Sequence, residues 1–178
     1  EHDFRLIKRI LRNLGYKERN LKIIRGNYEP KIKPTFFEGE DVKFDLFYNG
    51  VVCIKITEGI LDRIKEVHRF NNLIVKVLSP EDLILMKCTT ERTGDREDAK
   101  SLIEKFKINW DIILDESLKQ TEIGDSVFPV FLHDFLSELK ENLKVGVPKD
   151  VILRVMKIAE EEMIKVIKEN RLIKERKY

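Results

Sequence analysis

Four charged residues lie close together near the middle of the chain: Lys87, Arg92, Asp95 and Asp98. Lys87 sits in an apolar stretch, and an ammonium group is rarely buried without a partner. Residue types alone leave two structural interpretations, in which Lys87 either extends to solvent or pairs with Asp98. The alternative is a binding or catalytic role, for which this segment is the strongest candidate in the sequence.

A fifth candidate, Asp45, lies upstream in the β-rich run Phe44-Asp45-Leu46-Phe47. By itself, an aspartate in such a run is best explained as an outward-facing strand residue. The three histidines are scattered and share no spacing with a partner. They are therefore predicted to be solvated or satisfied polar residues.

Several elements must position these residues. Runs 42–47 and 51–56 are β-rich and flank Asn49-Gly50, which predicts a hairpin. Thr57 is expected to cap a short helix that reaches residue 65, and residues 73–78 form a predicted strand. Ser79 then caps a helix whose first turn contains Pro80 and two acidic residues and which ends near residue 91.

The remaining elements are mostly helical. Asp3 and Gly15 are expected to cap and end an amphipathic first helix, followed by a weak strand at 22–25 and a loop at 26–37. Further helices are predicted at 95–106, 110–119, 126–143 and 148–174, with Gly146 and Pro148 marking the last break. The chain is therefore predicted to be an α+β protein with an α+β domain at 1–122 and a helical region at 123–178.

Composition narrows the class of protein. Of the 178 residues, 37% are charged, yet the formal net charge is only +2, which gives no strong case for a nucleic-acid or membrane partner. The abundance of Lys, Glu and Ile fits either a thermophile or an AT-rich genome. Cys53 and Cys88 are expected to be buried thiols, since both lie in apolar stretches. With no membrane span or signal peptide in the sequence, a cytoplasmic location is predicted.

Residues 42–104 resemble the nucleotidyltransferase superfamily, in the branch that includes abortive-infection and toxin–antitoxin enzymes. In that branch a strand leads into a helix start of serine, two acidic residues and leucine, and a lysine, an arginine and aspartates follow. The matching residues here are Ser79, Asp82, Leu83, Lys87, Arg92, Asp95 and Asp98. The Arg92–Asp98 element departs from the family pattern in the spacing of its acids. The strand around Asp45 is similar to the one that carries the third active-site carboxylate of the family.

The resemblance implies a mixed sheet flanked by helices and Mg²⁺-dependent phosphoryl chemistry. Asp45 would ligate the metal or take the proton of the nucleophile, and Lys87 and Arg92 would bind nucleotide phosphates. Asp95 and Asp98 would hold Lys87 in place or take part directly in the reaction. The implied partner is a nucleoside triphosphate, with RNA, a protein or a small molecule as acceptor. A toxin-like role follows from family analogy alone.

One part of the family pattern is missing from residues 1–40. The superfamily places a Gly-Ser or Gly-Gly loop and an Asp-x-Asp pair just before a helix like the first one here. The sequence begins at Glu1 without a methionine, and we expect the pair immediately upstream of it. Without that pair, the polypeptide is expected to be inactive by itself.

Two functions therefore stay open. The first is transfer of a nucleoside monophosphate to a hydroxyl group, if the acidic pair is present. The second is a catalytically inactive binding or regulatory module that acts through its C-terminal helices. A homodimer through those helices is a further prediction, with a surface formed by Val151, Val155, Ile158 and Met163.

Overall fold

The computed structural model describes residues 1–20, 28–123 and 125–175, and the weak strand predicted at 22–25 lies outside them. These residues contain seven helices and seven strands. The helices are α1 (His2–Asn13), α2 (Glu58–Asp62), α3 (Pro80–Lys87), α4 (Thr93–Lys105), α5 (Trp110–Ile123), α6 (Phe128–Glu141) and α7 (Lys149–Glu175). The strands are β1 (Lys17–Arg19), β2 (Thr35–Glu38), β3 (Lys43–Leu46), β4 (Gly50–Val51), β5 (Ile54–Lys55), β6 (Glu66–Phe70) and β7 (Leu73–Val77).

The predicted α+β class with a helical C-terminal part is confirmed. The strands, however, form three small antiparallel sheets, β1-β2-β3, β4-β5 and β6-β7, where the resemblance implied one mixed sheet. Within the described residues, most paired strands follow one another after short connections. Short connections permit antiparallel but not parallel pairing.

The hairpin predicted around Asn49-Gly50 is wrong. Asn49 does have a positive φ of 60°, but β3 pairs with β2, with Asp45 opposite Phe36. Strand β2 falls in a segment predicted to be a loop, and its Phe37 is buried. Burial of the Phe37 ring favours the pairing of β2 with β3. The local Asn-Gly signal gives no information about that pairing.

The run predicted as one strand at 51–56 instead folds back on itself. Val52 adopts a φ of 57° and separates β4 from β5, which pair with each other. Strand β6 was not predicted, and its five residues are all exposed. It pairs with β7 across Asn71, whose positive φ of 46° is typical of a tight hairpin turn.

Helix α1 packs on the face of the first sheet that is opposite Asp45. Tyr16 contacts Phe44 edge-on at 5.2 Å between ring centroids, and Lys8 Nζ donates to Thr35 Oγ1 at 3.2 Å. The N-cap residue of α1 is Glu1. Asp3, which was predicted to be the cap, lies in the first turn of the helix. Gly15, with a φ of 89°, follows the helix end as expected.

One hydrophobic core joins the strands to the C-terminal helices. It contains residues from β5, α3, α5, α6 and α7, together with the buried Cys53 and Cys88. One apolar face of α6 is entirely internal, and its members are Phe128, Phe131, Phe135 and Leu139. The domain boundary at residue 122 stays a prediction, and the core extends across it.

The surface proposed from sequence for self-association is largely internal. Val151 and Val155 are buried in the core, and Ile158 packs against it. Only Met163 is exposed, at 55%. Among the described residues, no helix is both long and apolar enough to span a bilayer.

Candidate functional site

The turn between α3 and α4 positions four of the five candidate residues. The Ser79 Oγ accepts a hydrogen bond from the Asp82 backbone N–H at 3.2 Å, so Ser79 caps α3 as predicted. Lys87 is the last residue of α3 and Arg92 is the residue before α4. Asp95 lies in the first turn of α4, where the positive end of the helix dipole favours a carboxylate.

Asp95 is the centre of the site. Its Oδ1 accepts a hydrogen bond from Lys87 Nζ at 3.1 Å, and its Oδ2 accepts from Arg92 Nε at 3.0 Å and from the Thr90 hydroxyl. Lys87 also donates to Asp98 Oδ2 at 2.6 Å. The Asp95 side chain is only 10% exposed. The carboxylate therefore holds both candidate phosphate-binding cations in one arrangement.

Arg92 connects this group to the first sheet. Its Nη1 donates to Asp45 Oδ2 at 2.7 Å, although the two residues are 47 positions apart in the sequence. Arg92 itself is largely accessible, with 60% of its side chain exposed, compared with 28% for Asp45. The structure thus brings all five predicted residues together, while their roles in binding and catalysis stay predictions.

The charges in the site shift one another's ionisation. Burial alone would raise the pKa of Asp95, but hydrogen bonds from Thr90 and Lys87 and the charge of Arg92 outweigh it, so the pKa lies below its usual value. For Arg92, burial lowers the pKa, and the hydrogen bond to Asp45 and the charge of Asp95 raise it by more. Both groups are therefore held in their charged forms.

A protein-family model described as "Nucleotidyl transferase of unknown function (DUF2204)" matches residues 29–175. The chain belongs to this family. The match includes all five site residues, and it supports a nucleotidyltransferase-like function with a nucleotide substrate. No curated protein matches the sequence, and no solved structure does.

The described residues of this family member do not form the Mg²⁺ site that the resemblance implies. No group of three or more histidine, cysteine, aspartate or glutamate side chains is arranged to hold a metal ion in this part of the chain. Asp45 is instead paired with the guanidinium of Arg92. The carboxylates of the described residues therefore do not fit the ion by themselves.

Sequence reasoning missed a second charged group in this protein. Arg63, which follows α2, donates to Asp82 Oδ1 at 2.6 Å and to Glu116 Oε2 at 2.8 Å. Both carboxylate side chains are fully buried, and Arg63 is 20% exposed. Thr57 donates to Glu116 Oε1 at 2.8 Å, as does Gln120 at 3.1 Å. This trio, Arg63, Asp82 and Glu116, ties α2 to α3 and α5.

The trio explains one acidic position of the helix-start pattern. Asp82 had been assigned to that pattern, and the structure places it inside the protein as a partner of Arg63 and of the Ser79 hydroxyl at 2.7 Å. Its neighbour Glu81 accepts a hydrogen bond from the Asn109 backbone at 2.9 Å. A Ser-x-x-Asp cap followed by an apolar run was the only local signal. Nothing near Arg63 or Glu116 in the sequence points to their partners.

Proposed function

We propose that this protein binds a nucleoside triphosphate at the Lys87–Arg92 site and transfers its nucleoside monophosphate to a hydroxyl group on RNA, a protein or a small molecule. The observation that carries the proposal is the convergence of Asp45, Lys87, Arg92, Asp95 and Asp98 in a chain of the nucleotidyl transferase family. Membership gives the reaction class, and the geometry supports the choice of residues.

The two cations suit a phosphate chain. Lys87 offers a compact ammonium whose position is fixed by two carboxylates, and Arg92 offers a guanidinium that is 60% exposed and can donate two parallel hydrogen bonds. A triphosphate that reaches Arg92 competes with Asp45 for the same donors. Nucleotide binding would thus free the Asp45 carboxylate beside the substrate.

The freed carboxylate has a defined task in the proposed reaction. The acceptor hydroxyl oxygen bonds to the α-phosphorus while the bond from that phosphorus to the pyrophosphate oxygen breaks, and pyrophosphate leaves. Asp45 accepts the proton that the hydroxyl loses. The charge that develops on the phosphate oxygens is stabilised by Lys87 and Arg92.

We further propose that transfer, unlike binding, needs the Asp-x-Asp pair of the superfamily together with Mg²⁺. The 178 residues contain no Asp-x-Asp sequence. Reading the gene on the 5′ side of the Glu1 codon tests this requirement directly. An open frame that encodes a glycine loop and the acidic pair supports it, and an upstream frame without them contradicts it.

Nucleotide binding is tested by calorimetric titration with ATP, GTP, CTP and UTP, with and without Mg²⁺. Lys87→Ala and Arg92→Ala should each weaken binding by roughly 10–100-fold, the loss expected for one charge-assisted hydrogen bond. Lys100→Ala on α4 is the matched control, since its ammonium makes only a 3.8 Å pair with Glu104. Binding that is unaffected by the first two substitutions would rule out this site.

Transfer is tested with labelled triphosphates on the protein made from its complete reading frame. Asp45→Asn should abolish transfer while preserving nucleotide binding. Asp41→Asn, an exposed residue four positions earlier, should change neither. If the protein binds no nucleotide in any condition, the second candidate, a catalytically inactive binding module, becomes the better account. The pairing of Asp45 with Arg92 is the observation that favours that candidate.

A further inference from the structure

The C-terminal half of α7 exposes apolar side chains that the core does not use. Val151, Val155 and Ala159 face the core and are buried. One turn further on, Met163, Ile164 and Ile167 are 55%, 52% and 48% exposed. Neighbouring apolar side chains on a surface helix are typical of a contact with another protein surface.

A groove lies beside these residues. It has a volume of about 300 Å³ and runs between the start of α6 and the second half of α7. Val127 and Val130 line one side, and Met163, Val166 and Ile167 line the other. The groove can receive apolar side chains from a helix laid along α7.

The order of charges along α7 identifies the occupant. Three consecutive glutamates, Glu160, Glu161 and Glu162, precede the apolar residues. Three cations, Lys165, Lys168 and Arg171, and one further glutamate, Glu169, are interspersed with and follow them, and Lys165 pairs with Glu162 of its own helix at 3.6 Å. A second α7 aligned in the antiparallel direction places the acidic end of each helix against the basic end of the other. A parallel alignment places like charges together, which is unfavourable.

We propose that two copies of this chain associate through α7 in an antiparallel pair, with a two-fold axis near Ile164. Met163, Ile164 and Ile167 form the apolar centre, and they enter the α6–α7 groove of the other copy. The same surface patch serves both copies, as the interface of a two-fold symmetric dimer requires. The association is independent of the Lys87–Arg92 site and of nucleotide binding.

Charge exchange tests this arrangement. The double variant Glu160→Lys with Glu161→Lys makes this part of α7 mostly basic, and Lys168→Glu with Arg171→Glu makes it mostly acidic. Each should weaken self-association at least tenfold, measured by sedimentation velocity. An equimolar mixture of the two should restore the dimer, because opposite charges then meet at both ends. Weakening by each variant alone is expected only of antiparallel pairing, because a parallel pair already places like charges together in the wild-type protein.

Two controls complete the experiment. Lys105→Glu with Lys107→Glu reverses two exposed cations outside α7 and should leave the dimer intact. Ile167→Lys should abolish the dimer, whereas Leu61→Lys, a change at a residue that is 50% exposed elsewhere, should not. A monomeric wild-type protein, charge-reversed variants that still dimerise, or a mixture that stays monomeric would each overturn the proposal.

Discussion

Buried charge is tolerated in this protein where each ionised group has several hydrogen-bond partners. Asp95 accepts from Lys87, Thr90 and Arg92. Glu116 accepts from Arg63 and has two further neutral donors. Taking a carboxylate out of water costs several kcal/mol unless such partners replace the water. Removal of a single partner should therefore have a large effect at these positions.

Arg63→Ala should lower the free energy of unfolding by about 3–5 kcal/mol, because it leaves two fully buried carboxylates without their cation. Urea titration measures the change. Arg154→Ala is the control, since Arg154 is 57% exposed and pairs with an exposed aspartate, and its loss should be at most about 1 kcal/mol. Equal losses in the two variants would show that the buried trio has no special importance.

Acid should destabilise the protein through Glu116. Burial raises the pKa of this carboxyl group, but hydrogen bonds from Arg63 and Thr57 lower it by more, so the folded-state pKa lies below the usual 4.5. The resulting stabilisation is fully present above pH 4.5 and is lost as the pH falls through the lower, folded-state pKa.

The measurement is the free energy of unfolding as a function of pH between neutrality and acid. Glu116→Gln should be less stable than wild type at neutral pH and should lose less stability on acidification. Glu122→Gln, an exposed change on the same helix, should keep the wild-type slope. A Glu116→Gln curve that runs parallel to the wild-type curve would contradict the assignment.

At the scale of elements, sequence predicted what depends on neighbours along the chain. Every helix of the described residues was predicted, because helix signals such as caps and apolar periodicity act within one or two turns, although the cap of α1 is Glu1 and not Asp3. Strand pairing was harder: β3 found its partner in β2, a segment that had been predicted as a loop. The charged site shows the same dependence on sequence distance. A pair between Lys87 and Asp98 was predictable because the two residues are near in sequence, whereas Asp45 was assigned to the same site as Arg92 only through family resemblance.

The trio of Arg63, Asp82 and Glu116 was not predictable for a related reason. Asp82 and Glu116 lie 19 and 53 positions after Arg63 in the sequence. Each of the three residue types is common on protein surfaces. Only the packing of α2 on α3 and α5 makes them neighbours. A single sequence contains no record of such a contact.

The β4–β5 hairpin depends on a residue without a side chain at position 50. A Cβ atom there would lie 2.2 Å from the Ile54 carbonyl oxygen and 2.5 Å from Ile32 Cδ1. Gly50→Ala should therefore destabilise the protein by about 1–3 kcal/mol, as overpacking does. At Gly146, an added Cβ atom would have no atom within 4 Å other than those of its chain neighbours. Gly146→Ala should therefore be neutral or stabilising by up to about 1 kcal/mol. Thermal melts of both variants check the difference.

At the scale of the whole molecule, the core makes the strands and the C-terminal helices depend on one another. Helices α6 and α7 pack on each other and on α5, and their buried residues belong to the same cluster as β5 and α3. The division at residue 122 predicts two units, while a shared core favours one cooperative unit.

Chemical unfolding should therefore be a single transition. The one tryptophan of the sequence, Trp110, lies at the start of α5 and packs against the core. Its fluorescence and the far-ultraviolet circular dichroism of the helices should give the same midpoint. Phe135→Ala, which empties a fully buried site in α6, should shift both midpoints together, with a loss of about 3–5 kcal/mol. Two separate midpoints would support the division into independent units.

The buried trio also restricts how this sequence can change over generations. A mutation that neutralises Arg63 alone leaves two buried negative charges, and one that neutralises Asp82 or Glu116 alone removes a partner of a cation that is 20% exposed. Every single step away from the present arrangement is therefore costly, although replacement of all three by apolar residues can be neutral or favourable. Drift at these positions should be slow, and a lineage that leaves the arrangement should change the three positions in concert.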